Sequence, residues 1–159
     1  MTKTICKERP PMKGRLCLKI IRDGQIIQES QDNLIVAQGR NNLAKLLGGQ
    51  TGMHVAQVGV GTGSAEALST DMGLTGTVKV NIAETRVGVG LEAEDGTTFN
   101  DSRIVQFHFV LGTSAAIDVP ISEYGLFCAD DSLFSRIVRP TAFTKTALDR
   151  IIGFWQIQF

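Results

Sequence analysis

Hydrophobic and polar residues alternate with a period of two along much of this chain. From Gly14 onward Leu16, Leu18 and Ile20 interleave with Arg15, Cys17 and Lys19, and Asp23-Gly24 interrupts before Ile26-Ile27. Asp-Gly supplies the positive φ angles of a tight primed turn, so the stretch from Gly14 to Glu29 predicts a β-hairpin. Further strands are predicted over Val55–Val60, Gly76–Ala83, Thr85–Leu91, Arg103–Leu111, Ile121–Cys128, Leu133–Val138 and Ile151–Phe159, with turns between them. Within Val105–Leu111 the alternation gives way to a continuous apolar run, which predicts one core face and one partly covered face. A 3.6-residue period suits only the stretch from Ile35 to Leu47, where Val36, Leu43, Leu46 and Leu47 fall largely on one face. Asn33 is the predicted N-cap and Gly48-Gly49 the stop. An interior glycine, Gly39, costs about 1 kcal/mol relative to alanine, so this helix has to be held by packing on a sheet. The predicted fold is mainly β: an antiparallel β-sandwich with one short α-helix, residues 35–47, packed on it.

Length and composition sharpen the organisation. A chain of 159 residues suits a single domain, assigned to residues 14–159, which buries about two-thirds of the surface of its unfolded form. Residues 1–13 read as an extended basic arm carrying Lys3, Lys7, Arg9 and Lys13 and broken by Pro10-Pro11. The arm lacks the aromatic interleaving of a single-strand binder, so nucleic acid is not an expected partner, and it reads as a tail that orders on a neighbour. Cys6, Cys17 and Cys128 show no CxxC spacing, which predicts a reducing compartment and neither a disulfide framework nor a zinc site. The first residues lack the apolar stretch of a signal peptide, and no run reaches the ~20 apolar residues of a membrane span. Cytosolic synthesis of a soluble protein is the expectation. Net charge is zero, yet residues 1–45 hold nine basic and four acidic residues, 46–135 hold three and eleven, and 136–159 hold four and one. Such segregation suits complementary surfaces that meet across subunits. It equally suits segments that neutralise one another within the fold.

Candidate chemistry is sparse. Gln57-Val58-Gly59-Val60-Gly61-Thr62-Gly63-Ser64 has the glycine density of a phosphate loop. It lacks both the Gly-Lys-Ser/Thr of a Walker loop and the strand-to-helix placement of a dinucleotide fingerprint, so its glycines read as ending a strand in a tight loop. Glu66 and Asp71 are hard oxygen donors in that loop, but an EF-hand spacing is absent and no metal or cofactor is expected. No Gly-x-Ser-x-Gly elbow occurs, and nothing nominates a catalytic pair among the acids or between His54 and His108. The chain is therefore read as a non-enzyme. Glu123 lies among the apolar neighbours of Ile121-Ser122-Glu123-Tyr124-Gly125-Leu126-Phe127, where a carboxylate has to be paired or neutralised. Arg136, Arg139 and Lys145 are the nearest cations in sequence, and a structural ion pair is the favoured reading. The terminal strand, ending Trp155-Gln156-Ile157-Gln158-Phe159, is expected to be tied down by pairing within the sheet or with a neighbouring subunit.

In order, Asn33–Arg40 leading into Leu43-Ala44-Lys45-Leu46-Leu47, then Val58–Gly63, then Asp71-Met72-Gly73-Leu74, then Ile121–Phe127, Leu133-Phe134-Ser135-Arg136 and Trp155-Gln156-Ile157 make a pattern spanning residues 33–159. In this order and spacing the chain resembles a family of small tail-associated structural proteins of bacteriophages and phage-like particles. The resemblance implies a β-sandwich virion component, made in the host bacterial cytoplasm, that sits at a tail, baseplate, neck or fibre junction. It implies packing against copies of itself and other virion proteins, and it transfers no catalytic position. Interface residues are expected at Lys3, Lys7, Arg9, Pro10, Pro11, Glu123, Tyr124, Arg136, Trp155 and Phe159, with addition of a strand to an exposed sheet edge as the docking mode. The alternatives are a receptor- or carbohydrate-binding β-sandwich on the particle surface, with a host receptor or glycan as ligand, and a capsid decoration protein.

Overall fold

A computed structural model describes residues 12–159. The expected arm residues Lys3, Lys7, Arg9, Pro10 and Pro11 lie outside the described part. Met12 packs on the core, and Lys13 already opens the first strand opposite Gln158.

The chain is mainly β with one short helix. β1 (Lys13–Arg22) and β2 (Gln25–Ile35) form the expected hairpin, joined by Asp23 and Gly24 at φ 49° and 73°, with Arg22 facing Gln25. Two successive positive φ angles are what a type I′ turn needs. After α1 (Ala37–Leu47) come β3 (Val55–Gly61), β4 (Val78–Asn81), β5 (Glu84–Val87) and the two-residue strands β6 (Leu91–Glu92) and β7 (Thr98–Phe99). β8 (Ile104–Leu111), β9 (Pro120–Cys128), β10 (Leu133–Thr144) and β11 (Arg150–Gln158) complete the chain. The run expected as one strand over Thr85–Leu91 divides into β5 and β6 because Gly88 and Gly90 turn the backbone at φ 69° and 63°.

Nine strands form one continuous antiparallel sheet in the order β4-β3-β9-β10-β2-β1-β11-β8-β5, and β6-β7 form a separate ribbon. The sheet curls because two stretches of chain change neighbours along their length. β2 pairs with β1 from Gln25 to Asn33 and then with β10 through Leu34 and Ile35. The stretch from Val78 to Val87 pairs first with β3 and then with β8, and between the two the Ile82 N–H donates to Ala56 O and the Ala83 N–H to His108 O. The two ends of the strand order are thus one piece of chain. Inward-facing Leu16, Leu18, Ile20, Phe109, Ile151 and Trp155 of one half meet Val58, Val60, Tyr124, Leu126 and Ile137 of the other in a single core.

α1 departs from its predicted details. Val36, not Asn33, is the N-cap, and it offers no side-chain cap. Instead the Val36 N–H donates to Phe134 O and the Ala37 N–H to Ser69 O. Asn33 lies in β2, where its amide is placed between Ser135 Oγ and the Trp155 indole N–H, donating to the first and accepting from the second. The buried helix face is Gly39 and Asn42, while Leu47 is 85% exposed. A Cβ on Gly39 would run into the Phe134 backbone, so this glycine lets the helix touch β10 directly.

Candidate functional site: a loop pinned over a buried ion network

Residues 62–77 carry no helix or strand, a length at which an irregular loop is usually functional. Its ends are closed by the Thr62 N–H donating to Thr75 O at 2.9 Å, giving the compact, self-returning shape of an Ω-loop. The loop lies against the outer face of β3 and β9, where paired Gly59 and Gly125 leave a trough filled by Leu74 and the Phe127 ring.

Beneath it sits Glu123, 1% exposed. Its Oε1 accepts the Gly63 N–H at 2.9 Å and the Thr75 N–H at 2.6 Å, and its Oε2 accepts Arg136 Nε at 2.8 Å. Arg136 reaches on into the loop: Nη1 donates to Asp71 Oδ2 at 2.8 Å and Glu66 O at 3.3 Å, and Nη2 to Ala65 O at 3.0 Å. Burial works against charge on Asp71, but the Leu68 N–H and the Arg136 guanidinium outweigh it and hold its carboxyl below the ordinary range. The Ser122 hydroxyl donates to Gly63 O at 2.8 Å, and Ser69 O receives the first helical N–H.

The glycines of Val58-Gly59-Val60-Gly61-Thr62-Gly63 thereby acquire a physical reason other than ending a strand. A Cβ on Gly61 would lie 2.5 Å from Glu123 Oε1 and 2.6 Å from Thr75 O, and one on Gly63 would lie within 2.8 Å of the same carboxylate. The motif is an anion seat whose anion is a side chain of the same protein. Glu123 and Arg136 form the ion pair that sequence reasoning favoured, at the first of the three cations it named.

On its solvent side this anchored loop displays Leu68 and Met72, 57% and 72% exposed. Of the expected interface residues, Glu123, Tyr124, Arg136 and Trp155 are interior, and Phe159 is half exposed. The interior four shape a surface only through what they hold. Leu68 and Met72 escaped sequence reasoning because isolated apolar residues in a polar loop carry no periodicity. The convergence of Asp71 on Arg136 escaped it because 65 residues separate them.

Elsewhere, several polar groups that approach one another are paired with one another. On the outer face of β1, β8 and β11 a cavity of about 240 Å³ is lined by Cys17, Lys19, Glu92, Glu94, His108 and Phe154. Lys19 pairs with Glu92 at 3.2 Å, and the Gln106 amide holds β6 by bonding both the N–H and the C=O of Glu92 at 2.8 Å. Burial pushes the Cys17 thiol up to about 11 and lowers the His108 imidazole, so at neutral pH both are uncharged. Where β2 and β10 part, Gln31 Nε2 donates to Val138 O and Arg139 Nη2 to Glu29. A cavity of about 40 Å³ at that seam is lined by Tyr124 and Arg139, whose hydroxyl and Nη1 are buried without a hydrogen-bond partner among the described residues. Burial pushes the Tyr124 phenol up to about 12. Among the described residues no three His, Cys, Asp or Glu side chains are grouped to hold a metal, and no helix is long and apolar enough to cross a membrane.

No family model matches the chain, and neither a curated protein nor a solved structure is significantly similar to it.

Proposed function

We propose that this chain is a structural component of a bacteriophage particle, an assembly module at a tail, baseplate, neck or fibre junction that packs against copies of itself and other virion proteins. The particle address rests on the ordered resemblance over residues 33–159. The assembly role is supported by one observation: two large apolar side chains, Leu68 and Met72, stand exposed on a loop that the Glu123–Arg136–Asp71 network fixes in place. Exposed apolar groups on a pre-organised loop bind without the cost of ordering it. The finer β-sandwich description belongs to the same proposal. In it, β5-β8-β11-β1-β2 and β10-β9-β3-β4 are two facing layers around one core, with β2 and the Val78–Val87 stretch as the corners where chain passes between layers. The non-enzyme reading is supported by a carboxylate only 1% exposed whose two oxygens are both engaged by the protein's own donors, so that it is not presented to a substrate.

A receptor- or glycan-binding role is favoured by a different observation, the outer-face cavity in which Phe154 lies beside Glu92, Glu94 and His108. A capsid decoration role shares the assembly logic and differs in address.

The test is quantitative mass spectrometry of purified particles from the strain that encodes the chain, alongside light scattering of the isolated protein with and without residues 1–11. Truncation has to stop there, because Met12 packs on the core and Lys13 pairs with Gln158. A fixed copy number per particle supports the proposal. Absence from particles overturns it, and glycan binding lost on Phe154→Ala in a protein absent from particles would favour the second reading.

A further inference from the structure

Two apolar features stand near the two ends of α1. Near its N-terminus, where Ser69 O accepts the Ala37 N–H, is the Leu68 and Met72 pair. Toward its C-terminus is a groove of about 370 Å³, lined chiefly by Leu43, Leu46, Met53, Phe107, Phe134 and Phe159. At 1.5 Å per residue, Ala37 and Leu46 are separated by roughly 14 Å along the helix axis. The surroundings differ in charge. α1 carries Arg40 and Lys45 and no acid, whereas residues 62–77 carry Glu66 and Asp71 and no base. Asp71 is turned to the Arg136 guanidinium, which Glu123 also engages, and Glu66 is the exposed acid of the loop.

We propose that the groove beside α1 receives the Leu68–Met72 knob of a second copy of this chain, and that the two copies exchange knobs about a two-fold axis. The inference rests on the assembly reading above and names the surface that carries it. A second copy is the occupant because one chain bears both an apolar projection and an apolar recess, and because the acid beside the projection complements the basic helix that walls the recess. A projection and a recess toward opposite ends of one helix suit an isologous contact, in which each copy gives and receives the same insertion. The charges fix register and partner choice. Rigid anchoring of the loop by Glu123 and Arg136 means that the knob enters without being ordered first.

Sedimentation equilibrium on two complementary variants tests this. Leu68→Ser with Met72→Ser removes the knob and leaves the groove; Leu46→Glu places a charge in the groove and leaves the knob. Each variant alone has lost both contacts of the pair and should self-associate at least tenfold more weakly than the parent protein. Mixed in equal amounts they regain one intact contact, so the mixture should associate more strongly than either alone. A charge pair gives a second readout that does not touch the core: Lys45→Glu should weaken association and Glu66→Lys in the same chain should restore it. The proposal is overturned if the parent protein is monomeric at every concentration, if either variant associates as the parent does, if the mixture gains nothing, or if charge reversal is without effect. A monomeric parent that still enters particles at fixed copy number removes this contact while leaving the assembly reading intact. Absence from particles removes that reading itself.

Discussion

Replacing Arg136 by methionine tests the buried network directly. Arg136 is 6% exposed and makes four hydrogen bonds, one to Glu123 and three into the loop, to Asp71, Ala65 O and Glu66 O. Methionine fills much of the same volume but leaves Glu123, 1% exposed, as a carboxylate without its counter-charge. Breaking a buried ion pair from one side costs about 3–5 kcal/mol, a large part of the ~5–15 kcal/mol that holds a typical domain folded. The charge can be removed as well by adding Glu123→Gln, whose carbonyl still accepts the Gly63 and Thr75 N–H groups. The double variant then lacks the uncompensated charge and should recover at least ~2 kcal/mol of the single variant's loss, a coupling of the size found for residues in one network. Urea unfolding followed by the emission of Trp155, the only tryptophan and wholly buried, supplies the measurement. Amide exchange at Gly63 and Thr75 should accelerate in the single variant before global unfolding, because their acceptor is the group left unbalanced. A loss below about 1 kcal/mol for Arg136→Met, or a double variant as unstable as the sum of its parts, would refute the account, since either means the pair is not effectively buried.

Three further outcomes are expected. Gly39→Ala should destabilise by roughly 1–3 kcal/mol through overpacking against Phe134, although helix propensity alone favours alanine by about 1 kcal/mol; a gain in thermal midpoint would refute the close approach. Asp149 is buried, with its carboxylate held by Arg22 Nε at 2.7 Å and the Thr146 N–H at 2.7 Å, and the Arg22 bond is the largest cause of a pKa well below the ordinary range. Its stabilisation is therefore complete above the unfolded value of about 3.9 and is lost as pH falls through the lower folded value, so Asp149→Asn should flatten the fall in stability below about pH 4; an unchanged acid limb in pH-dependent unfolding would refute it. Tyr124→Phe removes a buried hydroxyl that lacks a partner among the described residues, and stability should stay within ~1 kcal/mol of the parent or rise. A loss above about 2 kcal/mol in urea unfolding would show that the hydroxyl is satisfied.

Local features of this fold were legible in the sequence because their causes are local. The Asp23-Gly24 turn, the β-strands with period-two alternation and the Gly48-Gly49 helix stop each rest on the conformational preference of adjacent residues. The Glu123–Arg136 pair was legible because a carboxylate in an apolar strand demands a cation and the hairpin partner strand supplies one 13 residues on. What escaped depends on surfaces created only by folding. Leu46 and Leu47 share a helical stripe with Leu43, yet the face that packs is set by Gly39, the one position where the helix backbone can touch Phe134. Asn33 has the composition of an N-cap, but tertiary contacts with Ser135 and Trp155 keep it in β2. The exchange of neighbours by β2, which makes a single curled sheet out of what reads as separate layers, turns on two residue pairs, Leu34 with Arg136 and Ile35 with Ser135. No periodicity encodes that.

The chemistry spent on the 62–77 loop bears on why it exists. Replacing a buried ion pair by well-packed apolar side chains is often neutral or stabilising, so stability alone does not account for Glu123, Arg136 and Asp71. An apolar plug beneath the loop would exclude water equally well, but it would tolerate sliding. The planar guanidinium does not, because its donors fix β9 through Glu123 and two separate points of the loop through Ala65 and Asp71. The glycines at 61 and 63 remove every Cβ that would lift the backbone off the carboxylate. Together these constraints set the height and register of the segment from Ala65 to Met72 above the sheet, and with them the position of Leu68 and Met72. Both Glu123 oxygens and all three Arg136 nitrogens are turned to the protein's own groups, so the network holds the loop from beneath while Leu68 and Met72 face outward beside the exposed Glu66.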